Sequence, residues 1–253
     1  MVGAVGAGCH GIACGVWVGS AGRFRAARCI WRRTATSREA IISAADIRVS
    51  RAKRAEDIAI ASALLLVALP IGAVAAAAMA VDMIVCKRDR GRFFYSERRV
   101  SQGREFDLLK LRTLQKDALG RMDEPGGHAR VLEADPANLT WAGRRVLKPW
   151  YLDELPQLVN ILRGEMSLVG PRPWPPSLVA RQVERGIEYR LHVRAGWTGQ
   201  AQVAKGTDAS FEALDLEYVE LCRSSSGLAL LRCDLGILRR TVATLLRGEG
   251  LRY

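Results

Sequence analysis

The sequence is poor in the groups that build redox and structural-metal sites. Its three histidines, His10, His128 and His192, form no HExxH or other ligand spacing. Its six cysteines, Cys9, Cys14, Cys29, Cys86, Cys222 and Cys233, contain no CxxC pair, so neither a zinc site nor a disulfide framework is indicated. Aromatics make up 6% of the chain, too few to interleave with basic residues as a nucleic-acid face does. A basic stretch ahead of the first apolar residues is also missing, which argues against a secretory signal. Ala7-Gly8-Cys9 has the look of a lipoprotein cleavage site, but too little hydrophobic sequence precedes it. Residues 1–50 therefore read as a weakly structured extension.

Acidic residues are in deficit. Against 38 Lys and Arg stand 26 Asp and Glu, a net charge of +12, which points to polyanionic partners. The placement of that charge separates the possibilities. Arg48, Arg51, Lys53 and Arg54 precede one long apolar run, and Lys87, Arg88, Arg90, Arg92, Arg98 and Arg99 follow it. Such bracketing is a membrane-surface pattern before it is a nucleic-acid one. The 49% apolar content excludes a disordered tail and allows one substantial core.

From Ile58 to Val81 the run IAIASALLLVALPIGAVAAAAMAV carries no charge. At about 1.5 Å per residue it is long enough for a hydrocarbon core of about 30 Å. Both flanks are basic, however, so both ends favour the same face of the membrane, and Pro70 near the middle removes a backbone donor and kinks the helix. A re-entrant helix over 51–86, kinked at Pro70, meets both observations; a true span and a buried core helix are the alternatives.

The remainder, 87–253, reads as a compact cytosolic domain of α+β class, mostly helical. GRFFYSERRV and EFDLLK flank the turn Ser101-Gln102-Gly103-Arg104, predicting a small β-hairpin. Strand alternation would then put Lys110 and Arg112 on one face as a two-cation surface suited to phosphate, or as a solvated basic edge. Residues 120–138 form a polar loop around Glu124-Pro125-Gly126-Gly127, either a lid or plain connection. Leu155, Leu158, Val159 and Leu162 space an apolar stripe on a helix from near Asp153 to Gly164. Asp153 reads either as its N-cap or as a carboxylate kept ionised at a helix start, and Pro156 weakens the cap by offering no N–H. Arg172 sits between Pro171 and Pro173, which hold its backbone extended on a stiff mount. RAGWTGQAQV predicts a glycine-permitted turn into a strand. After Ser224-Ser225-Ser226-Gly227, a stripe from Leu228 to Leu246 predicts an amphipathic helix, for a membrane interface or for the core.

Taken in order, KRAED before the apolar segment, GRFFYSERRV, KLRTL, LDELPQLVNILRGEMSLVGPRP, RAGWTGQAQV and DLGILRRTV resemble the bacterial sugar transferase family, the monotopic polyprenyl-phosphate phosphoglycosyl transferases. The resemblance runs from about Lys53 to the C-terminus and implies the small, minimal-core type. LDELPQL followed by MSLVGPRP is its specific signature.

The resemblance implies a re-entrant helix broken at a proline and ping-pong transfer of a phosphosugar from a UDP-sugar to undecaprenyl phosphate. Asp153 corresponds to the nucleophile, releasing UMP and carrying the phosphosugar; Glu154 is the second acid, working with Asp153 and Mg²⁺. Arg172 matches the phosphate-contacting arginine, and Lys110, Arg112, Lys148, Thr198 and Gln200 are the further substrate-binding expectations. Membrane lipids are partners and nucleic acid is not; the oligomeric state is undetermined. The implied location is the bacterial inner membrane with the catalytic domain on the cytoplasmic side. A catalytically inactive membrane scaffold is the alternative, against which the retention of Asp153, Glu154 and Arg172 counts. Departures from the family pattern are Arg92 for proline, Glu97 for glutamine, Ala195 for proline, Pro149-Trp150-Tyr151 for a basic-hydroxyl-hydroxyl run, and one extra residue between Gly143 and Asp153.

Overall fold

The structure, a computed structural model, describes residues 47, 49–123, 129–204, 210–225 and 227–247. The expectations for nearly all of 1–50, including Cys9, and for Glu124–His128 of the polar loop therefore lie outside the described residues. Those described all belong to one compact unit, Ser37–Tyr253.

Helix α1, Arg51–Val85, contains the whole apolar run with Pro70 inside it, and Ser50 caps it by accepting from Lys53 N at 3.1 Å. Its buried residues are Lys53, Asp57, Ala61, Ala68, Ala75, Met79 and Asp82. Spaced by four, four, seven, seven, four and three, they form one stripe along the full length. The opposite side is apolar and exposed: Leu66, Val67, Leu69, Ile71, Val74, Val81, Ile84 and Val85. A helix small and polar on its protein side and bulky outside is inverted relative to a water-soluble one.

Two of the basic residues read as membrane flank are instead structural. Lys53 is buried, with its Nζ 2.8 Å from Asp57 Oδ1 and 2.9 Å from Asp234 Oδ2. Arg54 donates to the carbonyls of Ile161 and Leu162, at 2.6 and 2.7 Å, and so satisfies the C-terminal end of helix α4 (Gln157–Arg163). Asp57 also accepts from Ser167 Oγ and Leu168 N. At the far end of α1, Asp82 Oδ2 accepts from Ala142 N at 2.9 Å.

Strands β1 (Phe94–Ser101) and β2 (Arg104–Leu111) pair antiparallel, as expected, through a two-residue turn. Gln102 and Gly103 both have positive φ, 50° and 70°, the mirror-image turn whose twist suits a hairpin. Beyond them lie the short helices α2 (Lys116–Gly120) and α3 (Ala129–Glu133). Strand β3 (Ser167–Val169) pairs parallel with β4 (Gly196–Thr198), so the strand expected from RAGWTGQAQV stops at Thr198 and the chain turns into helix α7 (Gln200–Val203). Between them run α5 (Pro176–Glu184) and α6 (Tyr189–His192).

The last two helices, α8 (Phe211–Ser224) and α9 (Gly227–Leu246), break where the serine run predicts. Leu230 and Ile237 of α9 enter the main core with Leu158, Ile161, Leu168, Val169 and Tyr218. Leu228, Leu235, Val242 and Leu245 remain outside. One face of that stripe packs on the core, as the second reading expects, and another stays apolar and exposed.

Candidate active site

Asp153 does not cap a helix. Leu152–Glu154 is a turn of 3₁₀ helix, and α4 begins four residues later at Gln157. Pro156 supplies the reason, since without an N–H it cannot close the α-helical bond to Leu152 O. Leu155 N takes that carbonyl at 3.2 Å instead. Tyr151 enters the turn at φ 53°, uncommon for a residue with a side chain. Gly164 ends α4 at φ 82°, as its position predicts.

This turn leaves the Asp153 side chain 1% exposed. Oδ2 accepts from Lys148 Nζ at 2.9 Å, while buried Oδ1 has no partner among the described residues. Burial pushes the carboxyl up; Lys148 opposes this, Glu154 adds to it, and the outcome is about 6. Glu154 next door behaves oppositely. Burial would raise it too, but Arg172, Lys110 and Lys148 overcome that and hold it below the usual carboxylate range. Arg172 Nη2 lies 3.0 Å from Glu154 Oε1, and Arg172 is half exposed.

Lys148 arrives by an unusual route. Gly143–Leu147 is a π-helical turn, with Lys148 N bonded to Gly143 O at 3.0 Å. Such a turn absorbs one extra residue in a helix. Lys148 Nζ also lies 2.6 Å from Glu133 Oε2, and burial, which would lower its pKa, is outweighed by these two carboxylates. Glu133 is held in turn by Thr113 Oγ1 at 2.7 Å and Tyr95 OH at 3.3 Å.

Lys110 reaches the same neighbourhood from β2, placed there by Asn160. The Asn160 side chain accepts from Leu109 N at 3.0 Å and donates to Asp107 O at 2.8 Å, tying β2 to α4. Lys110 Nζ is 2.6 Å from Glu97 Oε1, and Arg99 pairs with the other Glu97 oxygen. Burial alone would raise Glu97, but Lys110 and Arg99 bring it down to about 2. Four acids are thereby set against four bases: Glu97 takes both Arg99 and Lys110, Lys148 is shared by Glu133 and Asp153, and Arg172 pairs with Glu154.

The mount of Arg172 is built as its prolines imply, and more firmly. Pro171 O accepts from Gly196 N at 2.8 Å, Arg172 O accepts from Arg190, and Trp174 O accepts from Val100 N at 3.0 Å. The Arg190 guanidinium stacks 4.1 Å over the Trp174 ring and pairs with Asp215 at 2.8 Å.

Of the residues expected from sequence, the structure brings together Asp153, Glu154, Lys110, Lys148 and Arg172. Arg112 stands apart. Its guanidinium donates to the backbone carbonyls of Asp89, Arg92 and Leu114, closing the loop after α1. The expected two-cation surface of Lys110 and Arg112 does not form, because β2 ends at Leu111 and the alternation ends with it. Thr198 Oγ1 bonds Thr241 Oγ1 of α9 at 2.7 Å, and Gln200 heads α7; no contact joins either to the carboxylates among those described. Pro70 is exposed within α1.

Sequence reading missed Glu133, Tyr95 and Thr113, and took Glu97 only as a departure. Tyr95 and Glu97 are two apart on a strand with Tyr95 opposite Lys110, so an acid at an inward position was a readable signal. Glu133, on its five-residue helix, offered none.

A divalent cation fits within limits. Among the described residues no group of three or more His, Cys, Asp or Glu could hold one. Asp153, with its orphaned Oδ1, and Glu154 supply two carboxylates, a set that suits Mg²⁺ only when phosphate and water complete the shell.

Residues 48–248 match the family described as bacterial sugar transferase. Among similar proteins, the exopolysaccharide production protein ExoY of Rhizobium meliloti is 36% identical over 183 residues, 67% of this chain and 77% of that protein. The UDP-glucose:undecaprenyl-phosphate glucose-1-phosphate transferase of Caulobacter vibrioides is 37% identical over 154 residues, 57% of this chain and 52% of its own length. The undecaprenyl-phosphate galactose phosphotransferase of Salmonella typhimurium is 33% identical over 180 residues, 64% of this chain and 35% of its length. The chain thus spans most of ExoY but about half or less of the other two.

Proposed function

The chain belongs to the bacterial sugar transferase family, and from that premise we propose that it moves a phosphosugar from a UDP-sugar to undecaprenyl phosphate in exopolysaccharide or related glycan synthesis, releasing UMP. Relatives named as undecaprenyl-phosphate sugar phosphotransferases and as an exopolysaccharide production protein support the reaction class. The observation that carries it is the Asp153 carboxylate, with one oxygen fixed by Lys148 and the other buried and unclaimed.

In the first step Asp153 Oδ1 attacks the sugar-linked phosphorus. The new bond is Oδ1–P, the bond broken is the bridging P–O of the diphosphate, and the electron pair leaves with UMP. In the second, an oxygen of undecaprenyl phosphate attacks the same phosphorus and frees the carboxylate, leaving an undecaprenyl-diphosphate-sugar. Splitting the transfer lets the water-soluble donor and the lipid acceptor use one site in turn. No protein group need gain or lose a proton in either displacement.

Phosphoryl transfer depends on positioning and charge neutralisation. Arg172, half exposed, paired with Glu154 and carried on its rigid loop, is the cation best placed to meet an incoming phosphate. Lys110 and Lys148 hold the field around the reacting phosphorus from the buried side. Asp153 and Glu154 are the residues that would hold Mg²⁺, and the chemistry it would supply is neutralisation of phosphate charge.

For α1 we propose the re-entrant arrangement rather than a span. Asp57 bonds Ser167 and Leu168, and Asp82 bonds Ala142, so two points about 37 Å apart along the helix meet one folded body. An upright helix would leave those points on opposite sides of a core about 30 Å thick. The reading puts the catalytic domain on the cytoplasmic face of the inner membrane. With Arg51→Cys and Lys87→Cys each placed in a cysteine-free background, an impermeant maleimide should reach both from the cytoplasmic side only. Labelling of the two from opposite sides would establish a span.

The reaction is tested by UMP release from a panel of UDP-sugars with nanodisc-embedded protein and Mg²⁺, with undecaprenyl phosphate present or omitted. Sustained release that requires the lipid and favours one sugar is expected. Absence of UMP with every sugar, from folded protein, would favour the inactive scaffold.

A further inference from the structure

We propose that Trp141 and Trp150, together with the C-terminal turns of α1 and the bases around them, form a contact with the anionic bilayer interface that sets the depth of the Asp153 site. The proposal rests on the membrane-bound reading above and adds to it a surface outside the apolar run.

The last turns of α1 expose Val81, Ile84 and Val85, at 56%, 73% and 79%. The segment 141–152 is seated against that end of the helix. Ala142 N donates to Asp82 Oδ2, and Leu147 and Leu152 share an apolar cluster with Ala75, Met79 and Met83. From this segment Trp150 projects with 74% of its surface exposed and Trp141 with 52%. Indole rings left this open to water gain nothing for the fold, but a ring with an apolar body and one N–H donor suits the headgroup boundary.

Exposed charge in the two chain segments that carry these residues has one sign. Lys87, Arg88, Arg90 and Arg92 follow the helix and Arg144 and Arg145 precede Trp150, all exposed. The acid among 83–94, Asp89, is buried, and 141–150 contains none. Exposed indoles and aliphatics ringed by bases match the chemistry of an anionic lipid surface, being apolar at the acyl boundary and cationic at the phosphates. The exposed aliphatic residues at the end of α1 and the indole-bearing segment are joined by the Ala142–Asp82 bond and by the Leu147 and Leu152 contacts, so the two are held together as neighbours.

The consequence concerns catalysis. Trp150 lies two residues from Lys148 and three from Asp153, in a segment pinned at both sides by Leu147 and Leu152. Seating the indoles at headgroup level brings the nucleophile to the level at which a polyprenyl phosphate presents its phosphate.

The test uses the full chain in nanodiscs of phosphatidylcholine and phosphatidylglycerol containing lipids dibrominated at acyl carbons 6 and 7, which quench indoles near the interface. The variant Trp141→Phe/Trp150→Phe keeps apolar bulk at exposed positions and therefore the fold. It should lose at least half of the bromolipid-dependent quenching seen with the parent chain, and Trp150→Ala should raise the apparent KM for undecaprenyl phosphate several-fold with the KM for the UDP-sugar unchanged. Equal quenching in variant and parent, from protein that still floats with vesicles, would overturn the contact and leave the membrane-bound reading in place. Protein that fails to float with vesicles at all would overturn that reading and this contact with it.

Discussion

Asp153→Asn is expected to end UMP release and at the same time to make the protein more stable. The loss follows from chemistry, since an amide neither attacks phosphorus usefully nor accepts the phosphosugar. The gain follows from burial. The Asp153 carboxyl is pushed up to about 6 in the fold, against roughly 3.9 for an ordinary aspartate. Its folded pKa lies above the unfolded one, so the protonated form is the one that the fold prefers. Stability from this group is therefore complete below about pH 4 and declines as pH rises to about 6, the folded value, staying low above it. Two units at about 1.4 kcal/mol each make the ionised carboxylate unfavourable by about 3 kcal/mol at neutral pH.

Asparagine recovers a part of that without orphaning Lys148, which keeps Glu133 at 2.6 Å. A rise of about 1–2 kcal/mol, or roughly 2–8 °C in Tm at this chain length, should appear in thermal unfolding at pH 7.5 and vanish near pH 4. The same carboxyl predicts an acid limb near pH 6 in UMP release by the unaltered chain. A variant that transfers normally would remove Asp153 from the reaction. One less stable than the parent at pH 7.5 would mean that the Lys148 pair holds the fold together rather than bearing strain for catalysis.

How far this site could be read from sequence depended on whether the cause was local. Pro156 is local: its missing N–H was visible, and it is what turns Asp153 away from capping and into a 3₁₀ turn. The hairpin was legible because Gln102-Gly103 sets its register, and the register brings Lys110 beside Tyr95. What failed was extrapolation past an element's end, as with Arg112, and anything made by distant segments. Glu133 meets Lys148 across fifteen residues of chain through a π-helical turn that no spacing rule anticipates.

Lys53, Arg54 and Asp57 illustrate the same limit from the other side. Lys53 and Arg54 were read as part of a basic membrane flank, yet the partners of these two and of Asp57 are Asp234, α4 and Ser167, more than a hundred residues away. Ala195 is instructive because the proline expected there from the resemblance would forfeit a bond that alanine makes. Its N–H donates to Ser101 Oγ at 3.1 Å, a bond that proline could not make.

Gly196→Ala should be the most damaging single-methyl change outside the carboxylates. A Cβ at 196 would stand 2.1 Å from Gly170 N and 2.6 Å from both Gly170 Cα and O. All three are backbone atoms of the loop that carries Arg172, and backbone cannot rotate away as a side-chain end can. Gly170 and Gly199 are equally confined, with a Cβ at 2.6 Å from Arg194 O and at 2.3 Å from Gly170 O respectively. The crossing of β3 and β4 is therefore made of glycine for lack of room, and the strands' bonds Ser167 N to Ala195 O and Gly170 N to Thr198 O depend on it. Forcing a methyl group in should cost about 3 kcal/mol, or roughly 6–12 °C in Tm, and displace Arg172 from Glu154. Gly236→Ala in α9 is the control, since nothing lies within 4 Å of its added Cβ and helix propensity favours alanine by up to about 1 kcal/mol. If both substitutions left Tm and UMP release alike, the close approach of the two strands would not be what holds Arg172 over the site, and the proline-flanked loop would have to be rigid on its own account.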